Sequence, residues 1–390
     1  IFGIGEFNPS GPPAPITYGF HLGTLGGGII ENVYPPHLAR DVPRDTKIYV
    51  TFKEEIDPNT VRDAASGDAK NIKISSPLGE IALGAVTVSV SADNRTYTFA
   101  PDQYLGDGQN YIWYKVELGP GIEKANNKPA FPGLTTPFFW SFEVGTRLDI
   151  IPPYVTSVRP EAGKTEPKNV IIKINFSEPM FPPVVAGEVE IRGGAKVGEL
   201  INPSNPPFIT VQADMNNDGA FSDTDEYVAG TWELSNTYST IEFFAAGACG
   251  QTNSCGDVIY CLPSQLSGVT RYQVTVRAAG LNPCAPAGSC GNAGRSDCCR
   301  DPNFSNCDSG ICKKSDGANY PKAAASPDGV VDSANNSLDG NINENAQGPD
   351  ADNYVWEFFI NNTVDLSAPE ILEIGPAIDE EYVDLSAEPY

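Results

Sequence analysis

The chain has 390 residues and a formal net charge of -25; a single domain usually holds roughly 100–200 residues, so two or three domains are expected. The acidic balance excludes nucleic acid and other polyanions as partners, because phosphate binding needs a basic face. The 38 Gly and 34 Pro punctuate short runs of Val, Ile, Thr, Tyr and Phe, which predicts an all-β protein, and no apolar run approaches the ~20 residues of a membrane-spanning helix.

Residues 1–29 open with "IFGIGEFNPSGPPAPITYGFHLGTLGGG". They carry too much Gly and Pro for a regular helix and read either as an extended arm behind a removed leader or as a linker. An internal repeat then decides the architecture. "VYPPHLARDVPRDTKIYVTFKEEID" from Val33 parallels "IPPYVTSVRPEAGKTEPKNVIIKINFSEPM" from Ile151. Each runs from a Pro pair through a Pro-bearing turn into an alternating strand that ends at Phe52 or Phe176, followed by acidic residues. Later, Leu105 stands six positions before Tyr111 and Leu266 six before Tyr272, the pattern of a tyrosine corner that opens strand F of a sandwich. The copies close on "FFWSFEV" from Phe138 and "YVWEFFI" from Tyr354. Side chains alternate along a strand, so Trp140 with Phe142, and Trp356 with Phe358, share the core face. Two sandwiches are expected, over 30–148 and 149–364. Residues 365–390 read as the opening strands of a third repeat or as a strand that completes a neighbouring subunit.

With these motifs in this order, the chain resembles the bacterial immunoglobulin-like domains first recognised in S-layer proteins. The family pattern is met at Pro152, Pro153, Pro160, Phe176, Ser177, Glu178, Pro179, Met180, Trp356 and Phe358; the first copy departs from it with "FKEEID" at Phe52 to Asp57. The resemblance implies tandem immunoglobulin-like β-sandwiches in an extracellular or cell-surface setting. Such domains serve as spacers, S-layer modules, filament subunits or accessory modules, and fold does not settle function.

The second copy carries additions. In "DMNNDGAFSDTDE", oxygen donors fall at positions 1 (Asp214), 3 (Asn216), 5 (Asp218), 9 (Ser222) and 12 (Asp225), with Gly219 at 6 and the carbonyl of Ala220 at 7. That is the ligand order of a calcium loop. It resembles dockerin and EF-hand loops with Asp in place of Glu at 12, where the adjacent Glu226 can substitute. The flanking "PPFITVQA" and "EYVAGTWEL" read as strands, so the loop is expected on a β-hairpin, where calcium stiffens the turn; a solvated polar turn is the alternative. A second acidic stretch holds Asp328, Asp332, Asp339, Asn341, Asn343 and Asp350. Its spacing fits no loop cleanly, and it reads as a further metal site or an Asn/Asp-rich turn.

All nine cysteines, Cys249, Cys255, Cys261, Cys284, Cys290, Cys298, Cys299, Cys307 and Cys312, cluster in two insertions, 249–261 and 281–327. No CxxC pair is present and the only histidines, His21 and His37, lie elsewhere, which argues against zinc and haem and for disulfides made outside the cytoplasm. The odd count leaves one thiol over. The 281–327 insertion has too few large apolar residues to offset its ordering entropy, so cross-links are expected there; the 249–261 loop is close enough in a sandwich to pair with it, and the connectivity stays unassigned because eight cysteines allow about 105 pairings. No nucleophile stands with a base and no phosphate-cradling loop follows a strand, so no enzymatic activity is expected. Two functions remain. One is an extracellular structural subunit of a surface layer, stalk or filament, assembled as a homo-oligomer or polymer through the N-terminal arm and C-terminal strand. The other is an adhesin or carbohydrate-binding accessory module.

Overall fold

The computed structural model describes residues 28–91, 93–132, 138–185, 208–221, 227–281, 304–308, 311–314, 316–323 and 327–367. The N-terminal sequence forms β1 (Ile30–Tyr34), β2 (Ile48–Phe52), β3 (Ile72–Ser76), β4 (Gly79–Glu80), β5 (Val86–Val90), β6 (Thr96–Pro101), β7 (Ile112–Leu118) and β8 (Phe138–Val144). These make two facing sheets, β1-β2-β6-β5 and β4-β3-β7-β8. Then follow β9 (Val155–Arg159), β10 (Thr165–Pro167), β11 (Ile172–Phe176), β12 (Ile209–Ala213), β13 (Gly230–Ser235), β14 (Thr240–Ala245), β15 (Ala248–Thr252), β16 (Val258–Tyr260), β17 (Val269–Val276), β18 (Phe304–Asp308), β19 (Ile311–Lys314) and β20 (Tyr354–Asn361). They give the sheets β9-β11-β14-β13 and β10-β20-β17-β12, with β15-β16 and β18-β19 as separate hairpins. Among the described residues one α-helical turn, Pro182–Val185, and short 3-10 turns at Pro58–Thr60, Leu83–Ala85 and Asn236–Tyr238 interrupt the strands.

The two sandwiches repeat each other strand for strand. Tyr34 pairs with Tyr49, three residues before Phe52, and Arg159 with Lys173, three before Phe176; both pairings shift register near the phenylalanine. Tyr114 opposes Phe142 and Val116 opposes Trp140, as Tyr272 opposes Phe358 and Val274 opposes Trp356. In both copies the segment after the first strand reaches the last strand in parallel, through the Val42–Val144 bridge and the β10–β20 pairing. Every second residue of β7, β17 and β20 is buried, as a strand with one face on a core requires. One core gathers around Tyr97, Phe99, Trp140 and Phe142, the other around Phe243, Tyr272, Trp356 and Phe358. The protein is all-β, with tandem immunoglobulin-like sandwiches.

Two details of the repeat differ from the sequence reading. Strand register gives Tyr34 in the first copy the position that Arg159 takes in the second, so the Pro35–Pro36 pair corresponds to Pro160 and not to Pro152–Pro153; the peptide bonds before Pro35 and Pro160 are both cis. The first tyrosine corner is made by Tyr114, not by Tyr111, which is 58% exposed. The Tyr114 hydroxyl accepts from the Gly106 N–H at 2.8 Å and its ring stacks on Phe142. Tyr272 does close the second corner, donating to the Pro263 carbonyl and stacking on Phe358 at 5.3 Å. Leu266 is 96% exposed and is no counterpart of the buried Leu105, so the shared Leu–Tyr spacing was coincidental.

The sandwiches are packed against each other. Tyr49 lies 5.3 Å from Tyr34, 5.2 Å from Tyr238 and 6.4 Å from Phe181, centroid to centroid, so residues of both copies share one aromatic cluster. The hydroxyls of Thr51 and Tyr238 are 2.8 Å apart, and the Lys47 N–H donates to the Ser333 carbonyl at 3.4 Å. Beside them Lys322 and Asp45 form an ion pair at 2.6 Å with both side chains 6% exposed.

Candidate metal centres

The loop from Asp214 grows out of a hairpin, as the flanking sequence predicts. In the first sandwich Ser75 pairs with Glu80; in the second the corresponding partners are Gln212 and Tyr227, so 213–226 replace the short turn 76–79. Asp214 is nearly buried. Its carboxylate accepts the N–H groups of Asp218 and Gly219, each at 3.1 Å. Asp218 in turn accepts from the Ala220 N–H at 2.8 Å, and Asn216 Oδ1 from the Asp218 N–H at 3.0 Å. Asn217 and Gly219 have φ of 58° and 78°, and at the sixth position Gly makes that conformation cheap. Arg271 clamps the loop from below, donating to the Gly219 carbonyl at 2.9 Å and pairing with Glu357. Asp214, Asn216, Asp218 and Ala220 are thus brought together; Ser222, Asp225 and Glu226 lie outside the described residues.

The second acidic stretch does not form one site. Asp328 is tied to Arg277 and to the Gly280 N–H. Asp332 turns the other way, toward the joint between the sandwiches. Asp339, Asn341 and Asn343 do converge, in a loop with the conformation of the first. Asp339 accepts the N–H groups of Asn343 and Glu344, four and five residues on, as Asp214 does. Asn343 accepts from the Asn345 N–H, as Asp218 does from Ala220. Ile342 and Glu344 have φ of 57° and 63°, matching Asn217 and Gly219. Spacing alone hid this, because Glu rather than Gly takes the sixth position. Asp352, wholly buried, closes the loop through Asn341 Nδ2 at 2.9 Å and the Gly348 N–H at 3.2 Å; burial, first, and the charge of Asp339 raise its pKa. Both loops offer only oxygen donors, the set that suits hard cations.

A third group was not visible in the sequence. Asp149, where the chain leaves the first sandwich, Glu178, just past β11, and Asp332 each place a carboxylate oxygen within 4.8 Å of the others. The stretch around Asp332 runs antiparallel to Pro179–Phe181: Ser333 N–H donates to the Pro179 carbonyl and Phe181 N–H to the Val331 carbonyl. Asp332 is wholly buried; its carboxylate accepts from the N–H groups of Ala334 and Asn336 and from Asn336 Nδ2. Glu178 reaches both aspartates. Burial pushes all three carboxyls up, and the negative charge of their neighbours adds to it. Glu178 belongs to the "FSEPM" motif and Asp149 to the "LDIIPP" linker; that both flank the hinge between repeats was the available signal.

Cys249 and Cys261, whose pairing the sequence leaves open, are bridged to each other across the neighbouring strands β15 and β16. Cys255 is exposed and free at the hairpin tip. Cys312 is buried and disulfide-bonded. Cys284, Cys290, Cys298 and Cys299, and the side chain of Cys307, lie outside the described residues.

Among solved structures the chain is similar to surface layer protein SbsC, domains 1–6, at 14% identity and a TM-score of 0.22, covering 63% of this chain and 38% of that one. It is also similar to the S-layer protein rSbsC(31-844), at 12% identity and TM-score 0.23 with the same coverage. A third likeness is to titin domains z1z2 in complex with telethonin, at 9% identity and TM-score 0.16, covering 64% of this chain and 90% of that one. The chain thus spans 38% of the length of the two SbsC structures, and the fold rests on the strand pairing above rather than on these likenesses. No curated protein matches the chain. Residues 29–144, the first sandwich, match the family model of the bacterial Ig-like domain, and the second sandwich repeats the strand order of the first.

Proposed function

We propose that this chain is an extracellular structural protein, a subunit or segment of a cell-surface layer, stalk or filament. The observation that carries the reading is the joint: the sandwiches share a buried aromatic cluster and a buried ion pair, so the tandem acts as one stiff unit rather than as beads on a linker. Calcium in the Asp214 and Asp339 loops stiffens two connections of the second sandwich. At an extracellular affinity of roughly 0.1–1 mM, millimolar calcium adds on the order of 1 kcal/mol to stability by mass action, enough to order a turn and too little to drive a switch. The Cys249–Cys261 bridge staples the exposed β15–β16 hairpin. Residues 1–29 and 365–390 supply strands to the sheets of neighbouring copies.

Electron microscopy of the native material, compared with a chain lacking residues 1–20, tests this. The full chain is expected to form a repeating polymer, and the deletion to leave folded, dispersed sandwiches. Undiminished polymer from the deletion would refute strand addition by the arm, and monomers in native material would refute the assembly. An adhesive or carbohydrate-binding role has one observation in its favour: Val258 and Tyr260 stand 52% and 55% exposed on the stapled hairpin.

A further inference from the structure

The carboxylates at the joint are not accounted for by either loop, and we propose that Asp149, Glu178 and Asp332 form a cation site that ties one sandwich to the other, taking a hard divalent ion of calcium's size. This deepens the reading of the chain as a stiffened building block, at a place distinct from the loops.

The first support is an excess of carboxylates over cations at the joint, where the charge of Lys322 acts on both Asp149 and Asp332. Asp45, Asp149, Glu178 and Asp332 meet at the joint, faced by Lys322 and Lys47. Lys322 spends its three N–H donors on Asp45 Oδ2 at 2.6 Å, the Asp149 carbonyl at 2.6 Å and the Ala334 carbonyl at 2.7 Å; none goes to the three clustered carboxylates. Lys47 lies over the Phe181 ring at 4.6 Å and reaches the Ser333 carbonyl at 3.3 Å. Carboxylates taken out of water need a partner of opposite charge, and a divalent ion supplies it.

The second support is independent of the acids. Six buried side-chain polar atoms have no partner among the described residues; two of them, Tyr49 OH and Asn336 Oδ1, belong to residues beside Asp332, and a third, Thr46 Oγ1, to the residue between Asp45 and Lys47. Tyr49 and Asn336 are wholly buried and Thr46 is 2% exposed. The Tyr49 ring stacks alongside Tyr34, whose hydroxyl reaches Ser333 Oγ at 3.4 Å, the residue next to Asp332, and the charge of Asp332 acts on the Tyr49 phenol as well. The Asn336 amide lies directly on Asp332, with Nδ2 donating at 2.7 Å and Oδ1 left over. Buried polar atoms are satisfied in nearly all native proteins; an ion carrying its own water answers these as well as the carboxylates. The donors are all oxygen, with neither His nor Cys, which disfavours zinc, and they come from three separate backbone segments, which suits the flexible coordination of calcium better than the strict octahedron of magnesium.

Calcium binding to the full chain, measured by titration calorimetry on wild type, Glu178→Gln and Asp214→Asn, tests this. Glu178→Gln is expected to bind one calcium ion fewer than wild type, and Asp214→Asn to keep that ion. The melting temperatures are expected to cross: with EDTA, Glu178→Gln melts higher than wild type because repulsion is relieved, and in millimolar calcium it melts lower. An unchanged ion count, or a melting shift of the same sign with and without calcium, overturns the site, and tighter binding of magnesium than calcium overturns the ion. If Asp214→Asn loses no ion while Glu178→Gln does, the loop reading fails and the joint stands; the reverse result leaves the loop and removes the joint. Asp149→Asn carries the same expectations should Glu178→Gln fail to fold.

Discussion

Replacing Lys322 by Met keeps most of the side-chain volume and removes one charge and three donors. In the wild type the ammonium is held at 2.6–2.7 Å by Asp45 Oδ2 and the carbonyls of Asp149 and Ala334, and both members of the ion pair are 6% exposed. The substitution leaves Asp45 buried without its partner and strands two carbonyls. Breaking a buried pair from one side costs about 3–5 kcal/mol, so the loss should fall in that range. The surface pair Arg147–Asp41, with side chains 80% and 43% exposed, is the control; Arg147→Met should cost less than about 1 kcal/mol. Equilibrium urea denaturation in EDTA reads both variants, and hydrogen exchange reads the joint itself through the Lys47 amide, which donates across it to Ser333. That amide should lose protection in Lys322→Met and keep it in Arg147→Met. A Lys322→Met loss below about 1 kcal/mol, with the Lys47 amide still protected, would refute the claim that the joint is buried and electrostatically closed.

Tyr114→Phe should cost about 1–2 kcal/mol by leaving the Gly106 N–H without its acceptor, whereas Tyr111→Phe should fall within about 0.5 kcal/mol of wild type; equal losses in denaturation would contradict the repeat register. Burial pushes the phenols of Tyr238 and Tyr272 far above their ordinary pKa of 10, so the folded state holds protons that the unfolded chain releases. Stability should therefore be intact below pH 10 and fall above it by about 1.4 kcal/mol per pH unit for each such tyrosine, with phenolate absorbance rising together with unfolding; phenolate appearing at pH 10 in a folded chain would contradict their burial. Cys249→Ser opens a bridge with a sequence separation of 12 and should cost at most about 3 kcal/mol, read as lost exchange protection in the β15–β16 hairpin alone; melting of the whole second sandwich would show that the bridge holds more than the hairpin.

The sandwiches were legible because period-two burial writes itself into runs such as "FFWSFEV" and "YVWEFFI", where Trp140, Phe142, Trp356 and Phe358 fall on the core face. What a strand faces is local; which residue opposes which is not. That is why spacing alone points to Tyr111 rather than Tyr114 and aligns Pro35–Pro36 with Pro152–Pro153, where strand pairing decides otherwise. The Asp214 loop was legible down to its turn glycine, while its conformational twin at Asp339 was hidden by Glu344, which adopts a positive φ that sequence assigns to Gly or Asn. In the sequence Asp332 belongs to the second acidic stretch, Glu178 to the "FSEPM" motif and Asp149 to the linker. Only the packing of the repeats brings them together, and nothing in the residue types announces it.

Pulsed electron-electron resonance between spin labels on noncanonical residues at Leu78 and Leu266, exposed positions of the first and second sandwich, measures the joint in the full chain in millimolar calcium. A stiff tandem predicts one narrow distance distribution. A broad distribution, as from domains swinging on a linker, would contradict it.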